Sequence, residues 1–310
     1  MLNTKLLFEK GIVLNRKMLT QSQFSQIQFQ AVLNHYGTFY SIMKAIHFVD
    51  NVTVQLTSDG VKIIAEEAKS VQATAYIMKN CFSEYKLILP RSTNDDDEDD
   101  PCTSFGLNLK VFTDCLSMFL GGDYDSSLKL LHKGEGAPLI VVLEQHGEDD
   151  LVTECSVKTM EPLEVLDFDF EDAHVFSRVN IKAPDFFALL SDLDRFCEEI
   201  EINLSPNNFR LITLGELHNE SNFEITNSSD MLISFNCTAT STNRYKAAHF
   251  RLVMKTLALG SKIALRTNKD GLLGMQVLIE TGDNAQMFVE YFIMPLCEGD
   301  ETMAEEDTVI

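Results

Sequence analysis

Residues 39–46 read Phe-Tyr-Ser-Ile-Met-Lys-Ala-Ile, and this stretch decides the fold because the chain repeats its pattern three more times. The pattern is a Phe followed by apolar residues three, four and seven positions later. Its copies are Phe39-Ile42-Met43-Ile46, Phe112-Cys115-Leu116-Phe119, Phe186-Leu189-Leu190-Leu193 and Phe250-Val253-Met254-Leu257. Apolar residues at this spacing form one stripe along a helix, so the sequence predicts four short amphipathic helices.

Between these helices the apolar residues recur at every second position, which is typical of strands. The stretch from Ile27 to Leu33 alternates apolar and polar residues, and Ser58-Asp59-Gly60 between two apolar runs predicts a hairpin. Further strands are expected near residues 52–56, 61–63, 71–77, 85–89, 127–132, 138–145, 151–160, 174–182, 198–204, 208–214, 221–226, 231–239, 261–267, 272–280 and 286–295.

The second half of the chain repeats the order of the first half. Val142-Leu143 followed by Gly147 matches Val277-Leu278 followed by Gly282, at an offset of 135 residues. We therefore predict an α+β fold of two duplicated halves, each with two short helices packed on antiparallel sheets. The predicted parts are an N-terminal extension outside the fold at 1–20, a first domain at 21–160, a connecting loop at 161–171, a second domain at 172–297 and an acidic disordered tail at 298–310.

Composition indicates an acidic globular protein. The 310 residues include 25 Lys and Arg against 47 Asp and Glu, a net charge of −22. Two acidic runs, at 95–100 and 298–307, contribute much of this charge, and we expect both to stay solvated. The seven cysteines lack the spacing of a zinc site and suit buried thiols in a reducing compartment. No apolar run approaches the length of a membrane span.

The sequence lacks the familiar signatures of catalysis. It has no Gly-x-x-x-x-Gly-Lys-Ser/Thr, Gly-x-Gly-x-x-Gly or Gly-x-Ser-x-Gly motif, so we expect no cofactor, no metal and no enzyme activity. One alternative remains open in Leu-Asp-Phe-Asp-Phe at 166–170. An extended chain would place Asp167 and Asp169 on one face, where they could hold Mg²⁺ for phosphodiester cleavage. Otherwise the apolar residues of this stretch pack against a sheet and both Asp residues lie in water.

The predicted helices are less acidic than the chain as a whole. The spans 38–46, 109–120, 184–193 and 250–259 together hold four basic and three acidic residues. A weakly basic strip of this kind suits sequence-independent contact with DNA phosphates, although each residue taken alone is more typical of a solvated surface. The candidate DNA-facing residues on or next to the helices are Lys44, Lys110, Lys182, Arg244, Lys246, Arg251 and Lys255.

Several stretches together resemble one family. They are Ser41-Ile-Met-Lys-Ala-Ile-His-Phe48, Glu67-Ala-Lys-Ser-Val-Gln-Ala73, Asn108-Leu-Lys-Val-Phe-Thr-Asp-Cys-Leu-Ser-Met-Phe119, Glu161-Pro162 followed by Leu166-Asp-Phe-Asp-Phe170, Asn243-Arg-Tyr-Lys246 and Phe288-Val-Glu-Tyr291. The duplicated pattern resembles the sliding-clamp fold of the proliferating cell nuclear antigen. The individual stretches resemble the Rad-one subunit of the heterotrimeric nine-one-one checkpoint clamp.

The resemblance implies a nuclear, non-catalytic subunit of a ring of three different proteins around double-stranded DNA, without sequence specificity or membrane contact. Its partners would be the Rad-nine and Hus-one subunits and a Rad-seventeen-containing clamp loader. The ring would support checkpoint kinase signalling and tether repair enzymes.

The helices would line the hole of that ring, and Leu166, Phe168 and Phe170 of the connecting loop would lie beside a partner-binding groove. The N-terminal extension and an acidic insert at 92–101 depart from the family pattern. The alternatives are a 3′→5′ exonuclease using Asp167 and Asp169, or a homotrimeric replication processivity clamp.

Overall fold

The computed structural model describes residues 13–14, 27–88, 102–120, 125–147, 150–168, 170, 175–193, 196–214, 221–281 and 285–296. Within these residues the helices are α1 Gly37–Ala45, α2 Leu109–Leu116, α3 Ala183–Ser191 and α4 Ala247–Leu257, with 3₁₀ turns at Lys79–Cys81 and Ser117–Phe119. The strands are β1 Val13–Leu14, β2 Phe29–Leu33, β3 Asn51–Thr57, β4 Gly60–Glu67, β5 Val71–Met78, β6 Glu84–Leu87, β7 Thr103–Asn108, β8 Asp125–His132, β9 Leu139–His146, β10 Leu151–Val157, β11 Thr159–Met160, β12 Val175–Lys182, β13 Glu199–Leu204, β14 Asn208–Leu214, β15 Ser221–Thr226, β16 Leu232–Cys237, β17 Ser241–Lys246, β18 Lys262–Asn268, β19 Leu273–Glu280 and β20 Gln286–Ile293.

All four predicted helices are confirmed, and local sequence explains where they begin. The Asn108 side chain caps α2 by accepting a hydrogen bond of 3.0 Å from the Val111 amide. Pro184 occupies the first turn of α3, where its missing N–H has no helical partner to lose. The Phe that heads each stripe is buried, whereas Leu189 and Met254 are only half-buried at the edge of their stripes.

The strands form three antiparallel sheets. Their orders are β1-β10-β9-β8-β2-β6, β11-β7-β3-β4-β5-β20-β19-β18-β12-β16 and β15-β14-β13-β17. The ten-stranded sheet joins the two halves, because β5 of the first half pairs with β20 of the second. The two halves have the same order of elements. The first half runs β2, α1, β3 to β7, α2 and β8 to β10, and the second half runs β12, α3, β13 to β17, α4 and β18 to β20. The duplicated α+β fold is therefore confirmed.

The sequence alignment of the two halves is one residue out of register. The burial pattern of β9 matches that of β19 when Leu139 is aligned with Leu273, an offset of 134 residues rather than 135. Val142 is half-buried while Val277 lies in the core, so the sequence match paired residues on opposite faces of their strands. A shift of one residue exchanges the two faces of a strand, which a short Val-Leu match does not detect.

Three strands were not predicted. β17 reads Ser-Thr-Asn-Arg-Tyr-Lys, with Tyr245 as its only buried residue, and β7 likewise lacks a strict alternation of apolar residues. The two residues of β1 pair with β10, whereas the sequence placed residues 1–20 outside the fold. The acidic insert at 92–101 and the tail at 298–310 both lie outside the described residues.

The helices form one layer over the core. α1 contacts both α2 and α4, and α4 contacts α3, so the order across the layer is α2-α1-α4-α3. Each helix buries its Phe-led stripe in the core that continues from Phe29 to Ile293 through both halves. Among the described residues, no helix has the length and apolar character that crossing a membrane requires.

Candidate nucleic-acid interface

The helix layer presents one solvent-exposed surface, which we call the helix face. It comprises the exposed or half-exposed residues of the four helices that point away from the core. They include Gly37, Tyr40, Ser41, Lys44, Lys110, Asp114, Asp185, Ala188, Ala248, Arg251 and Lys255. Because the four helices are neighbours in one layer, these residues together form a continuous surface on the side opposite to the core.

The middle helices carry Lys44, Arg251 and Lys255 of the helix face. Lys44 on α1 is exposed, and its ammonium lies 5.4 Å from the centroid of the Tyr40 ring, which holds the charge over the helix. Lys255 is exposed in the last turn of α4, where a cation interacts favourably with the helix dipole. Arg251 on α4 donates a hydrogen bond of 3.0 Å from Nη2 to the Cys197 carbonyl. This contact fixes the guanidinium between α4 and the segment that follows α3.

The outer helices are less basic. Lys110 on α2 lies 3.8 Å from Asp114 one turn later, so this lysine contributes little net charge. The sequence of α3 contains no Lys or Arg and includes Asp185 in its first turn. The positive charge of the helix face is therefore concentrated on α1 and α4.

The other three candidate residues lie at strand ends or on a strand. Lys182 and Lys246 are the N-cap residues of α3 and α4, and both are exposed. A lysine there adds to the positive end of the helix dipole, so both positions favour anions. Arg244 instead pairs with Glu201 on β13 at 3.1 Å, on the strand face opposite to buried Tyr245. Arg244 is thus set apart from the helix face.

A groove runs beside the N terminus of α4. It encloses about 510 Å³ and is lined by Lys246, Arg251 and the ring of Phe196, which is 88% exposed. Glu198 and Glu199 line the same groove, so its charge is mixed. The groove extends the helix face without adding net positive charge.

The connecting loop crosses the ten-stranded sheet on the face opposite to the helices. The Leu163 amide donates to Thr53 Oγ1 at 3.0 Å, and the Thr53 hydroxyl donates to the Leu163 carbonyl. The Leu166 amide donates to Glu66, while Gln72 donates to the Leu166 carbonyl. Thr53, Glu66 and Gln72 alternate with core residues along their strands, so they lie on the outer face of the sheet.

Two aromatic residues of the loop stack on the sheet. The rings of Phe168 and Phe170 lie 5.3 and 5.6 Å from the ring of Phe292 on β20. Phe170 is buried, Phe168 and Leu166 are half-buried, and Asp167 is exposed. This matches the alternative in which the apolar residues of 166–170 pack against a sheet. Asp169 lies outside the described residues.

A polar cluster that the sequence did not predict lies beneath the loop. The Arg266 guanidinium lies 5.1 Å from the centroid of the Phe170 ring and pairs with Glu290. Burial, followed by the nearby Glu290 carboxylate, raises the pKa of Tyr76 to about 12. The only signal in the sequence is that Arg266 and Glu290 occupy outward positions of otherwise apolar strands.

The described residues contain no group of three or more His, Cys, Asp or Glu side chains close enough to hold a metal ion. The magnesium site suggested for Asp167 and Asp169 stays a prediction, because only Asp167 is described.

The antiparallel sheets, the duplicated order and the single layer of four short helices define an α+β sliding clamp. Residues 28–279 match the family described as repair protein Rad1/Rec1/Rad17, and the chain belongs to this family. It is 33% identical over 293 residues to the cell cycle checkpoint protein RAD1 of Homo sapiens, covering 93% of this chain and 97% of that protein.

Two further relatives agree. The DNA repair protein Rad1 of Drosophila melanogaster is 31% identical over 283 residues, covering 90% of this chain and 98% of the relative. The DNA damage checkpoint control protein rad1 of Schizosaccharomyces pombe is 25% identical over 289 residues, covering 86% of each. Membership of the family supports a role in DNA repair and the DNA damage checkpoint, and it implies a clamp complex with other subunits.

Proposed function

We propose that the protein is a non-catalytic subunit of a ring of three different clamp proteins that encircles double-stranded DNA in the nucleus. The ring supports checkpoint kinase signalling at damaged DNA and tethers repair enzymes. Its other members are the Rad-nine and Hus-one subunits, and a loader containing Rad-seventeen places it on DNA. The proposal extends the family assignment to a specific assembly.

The observation that carries the proposal is the helix face on one side of the ten-stranded sheet. Lys44, Arg251 and Lys255 offer positive charge there on a chain whose net charge is −22. Charge without a base-reading element suits contact with phosphates of any sequence. The connecting loop lies on the opposite side of the sheet, where repair enzymes could bind without competing with DNA.

The pairing of β5 with β20 suggests how neighbouring subunits join. By element order, β15 is the equivalent of β5 in the second half, and β10 is the equivalent of β20 in the first half. β15 is the last strand of the four-stranded sheet, and β10 lies beside α2 at one end of the helix layer. Pairing of β15 in one subunit with β10 in the next would repeat the contact that already joins the two halves of this chain.

The proposal is tested by purifying the chain together with the two partner subunits and measuring retention on DNA. A closed ring stays on circular DNA at high salt and is lost when the circle is cut. Light scattering on the isolated chain tests the requirement for different partners. A stable homotrimer formed by the chain alone would contradict the heteromeric ring and favour the processivity clamp.

A further inference from the structure

The edge of β10 is already partly occupied in this chain. Val13 pairs with Ser156 and Leu14 with Cys155, which makes β1 an antiparallel neighbour of β10. This contact lies on the side of β10 away from β9, at the end of the six-stranded sheet. The N-terminal segment therefore reaches the edge to which the proposed ring assigns a strand of another subunit.

The duplication shows which position β1 occupies. When β9 is superimposed on β19 through Leu139 and Leu273, the strand registers place Cys155 on Tyr291 and Ser156 on Phe292. The partners of Tyr291 and Phe292 in β5 are Ala73 and Gln72. β1 thus stands beside β10 where β5 stands beside β20.

We propose that β1 is an intramolecular cap on the assembly edge of β10. The inference rests on the proposed ring, in which β15 of a neighbouring subunit takes the place that β5 holds within this chain. Both β1 and that strand need the same backbone groups of Cys155 and Ser156, so they cannot pair with β10 together. The cap must leave β10 before the ring closes at this interface.

The contacts of the cap suit a reversible role. β1 covers two residues of β10, whereas β5 pairs with seven residues of β20. A longer strand forms more backbone hydrogen bonds and would displace the cap. Leu151 and Val152, in the part of β10 that β1 leaves uncovered, are 52% and 48% exposed. Exposed apolar residues at a sheet edge favour pairing with another chain, and capping an edge limits unwanted pairing.

The charge of the N-terminal segment is complementary to the rest of the chain. Residues 1–20 contain four basic residues and one acidic residue, whereas the whole protein has a net charge of −22. The hairpin of β9 and β10 carries Glu144 opposite Val152 and Glu154 opposite Val142, so the two glutamates lie on one face of this strand pair. Attraction between a basic segment and an acidic edge would hold the cap near β10 when it is not paired.

The cap is tested with the full chain and a double variant, Val13→Pro with Leu14→Pro. Proline removes the backbone donors of β1 and leaves the charges of the segment unchanged. The matched control, Asn3→Pro with Thr4→Pro, places two prolines in the same segment but outside β1, and it also leaves the charges of the segment unchanged. A third protein lacks residues 1–20.

Hydrogen exchange of the peptide 151–157 in the isolated chain gives the first readout. We expect faster exchange in the β1 variant and the truncated chain than in the control. Equal exchange in all four proteins would show that β1 does not pair with β10, and it would overturn the proposal.

Association with the two partner subunits gives the second readout. If the cap must open before binding, the apparent affinity for the partner subunits falls in proportion to the uncapped fraction of the chain. We therefore expect the β1 variant and the truncated chain to bind the partner subunits at least about threefold more tightly than wild type does. Unchanged affinity, with ring formation intact, would overturn the cap and leave the ring standing. Failure of every protein to form a ring would overturn both.

Discussion

The carboxylate of Glu290 on β20 pairs with the guanidinium of Arg266 on β18, directly beneath the connecting loop. The two side chains are 8% and 19% exposed, so the pair is largely removed from water. Glu290 lies opposite Thr74 of β5, at the junction between the two halves. The ion pair therefore links the loop to the strand contact that joins the halves.

Replacing Arg266 tests this link. Arg266→Ala leaves the buried carboxylate of Glu290 without its cation, and breaking a buried pair in this way costs about 3–5 kcal/mol. The free energy of unfolding from chemical denaturation measures the loss. Arg244→Ala is the matched control, because Arg244 is 57% exposed in its pair with Glu201 and such pairs contribute about 1 kcal/mol or less. Equal losses in the two variants would contradict the structural role of Arg266.

Phe170 is expected to anchor the connecting loop. Its ring is buried against Phe292 and Arg266, so Phe170→Ala should destabilise the protein by about 3 kcal/mol, the usual cost of removing a buried Phe. Limited proteolysis should cut the loop at 161–170 faster in this variant. Leu163→Ala is the control, because the Leu163 side chain is 47% exposed and only its backbone holds the loop. Unchanged cleavage in Phe170→Ala would show that hydrogen bonds alone fix the loop.

We expect His132 to make the folded protein less stable in mild acid. His132 is buried against the Phe105 ring, its Nε2–H donates to the Ala137 carbonyl at 3.0 Å, and its buried Nδ1 has no hydrogen-bond partner within the part of the chain that the structure describes. Burial lowers the pKa of His132 below its ordinary value of 6.5, because the charged imidazolium loses its contact with water, and this effect outweighs the opposing hydrogen bond to the Ala137 carbonyl.

The direction of this pH effect follows from proton binding in the folded and unfolded states. The unfolded chain takes up the His132 proton first, so this contribution to stability is complete above pH 6.5 and is lost as the pH falls towards the folded pKa. His132→Gln should therefore show a smaller drop in unfolding free energy between pH 7.5 and lower pH than wild type. His249 has its pKa lowered in the same direction by burial and Lys246, and it is retained in both proteins. Parallel curves for the two proteins would refute the assignment to His132.

The helix face predicts how DNA binding depends on salt. Removing Lys44, Arg251 and Lys255 together should lower the slope of log affinity against log salt by about 2–3 for the assembled ring, at about 0.9 for each lost phosphate contact. Lys62→Ala is the control, because Lys62 lies over the Tyr76 ring on the opposite face of the sheet. A slope that is unchanged in the triple variant would place the DNA contact elsewhere.

The sequence predicted features that depend on local periodicity and missed those that depend on distant partners. The Phe-led stripes located all four helices because a stripe is complete within two or three turns. The Lys110–Asp114 pair is also local and follows from its spacing of four residues. The contact of Arg251 with the Cys197 carbonyl joins residues 54 positions apart, and no spacing rule indicates it.

The same distinction explains the strands. β1 pairs with residues more than 140 positions away, and its two residues carry no pattern of their own. β17 has one buried residue because the other positions on the face of Tyr245 are the polar residues Ser241 and Asn243, so the strand shows no apolar alternation. Aligning β9 of the first half with β19 of the second half requires knowing which face of each strand is buried. Sequence similarity alone gave an alignment that is one residue out of register.

In the proposed ring, the helix face surrounds DNA and the connecting loop lies on the outer side of the sheet. A photoreactive amino acid placed at position 255 or at position 62 of the assembled ring tests it directly. We expect DNA cross-links from position 255 on closed circular DNA, loss of these cross-links after linearisation, and none from position 62. Cross-links from position 62, or none from position 255 on circular DNA, would contradict it.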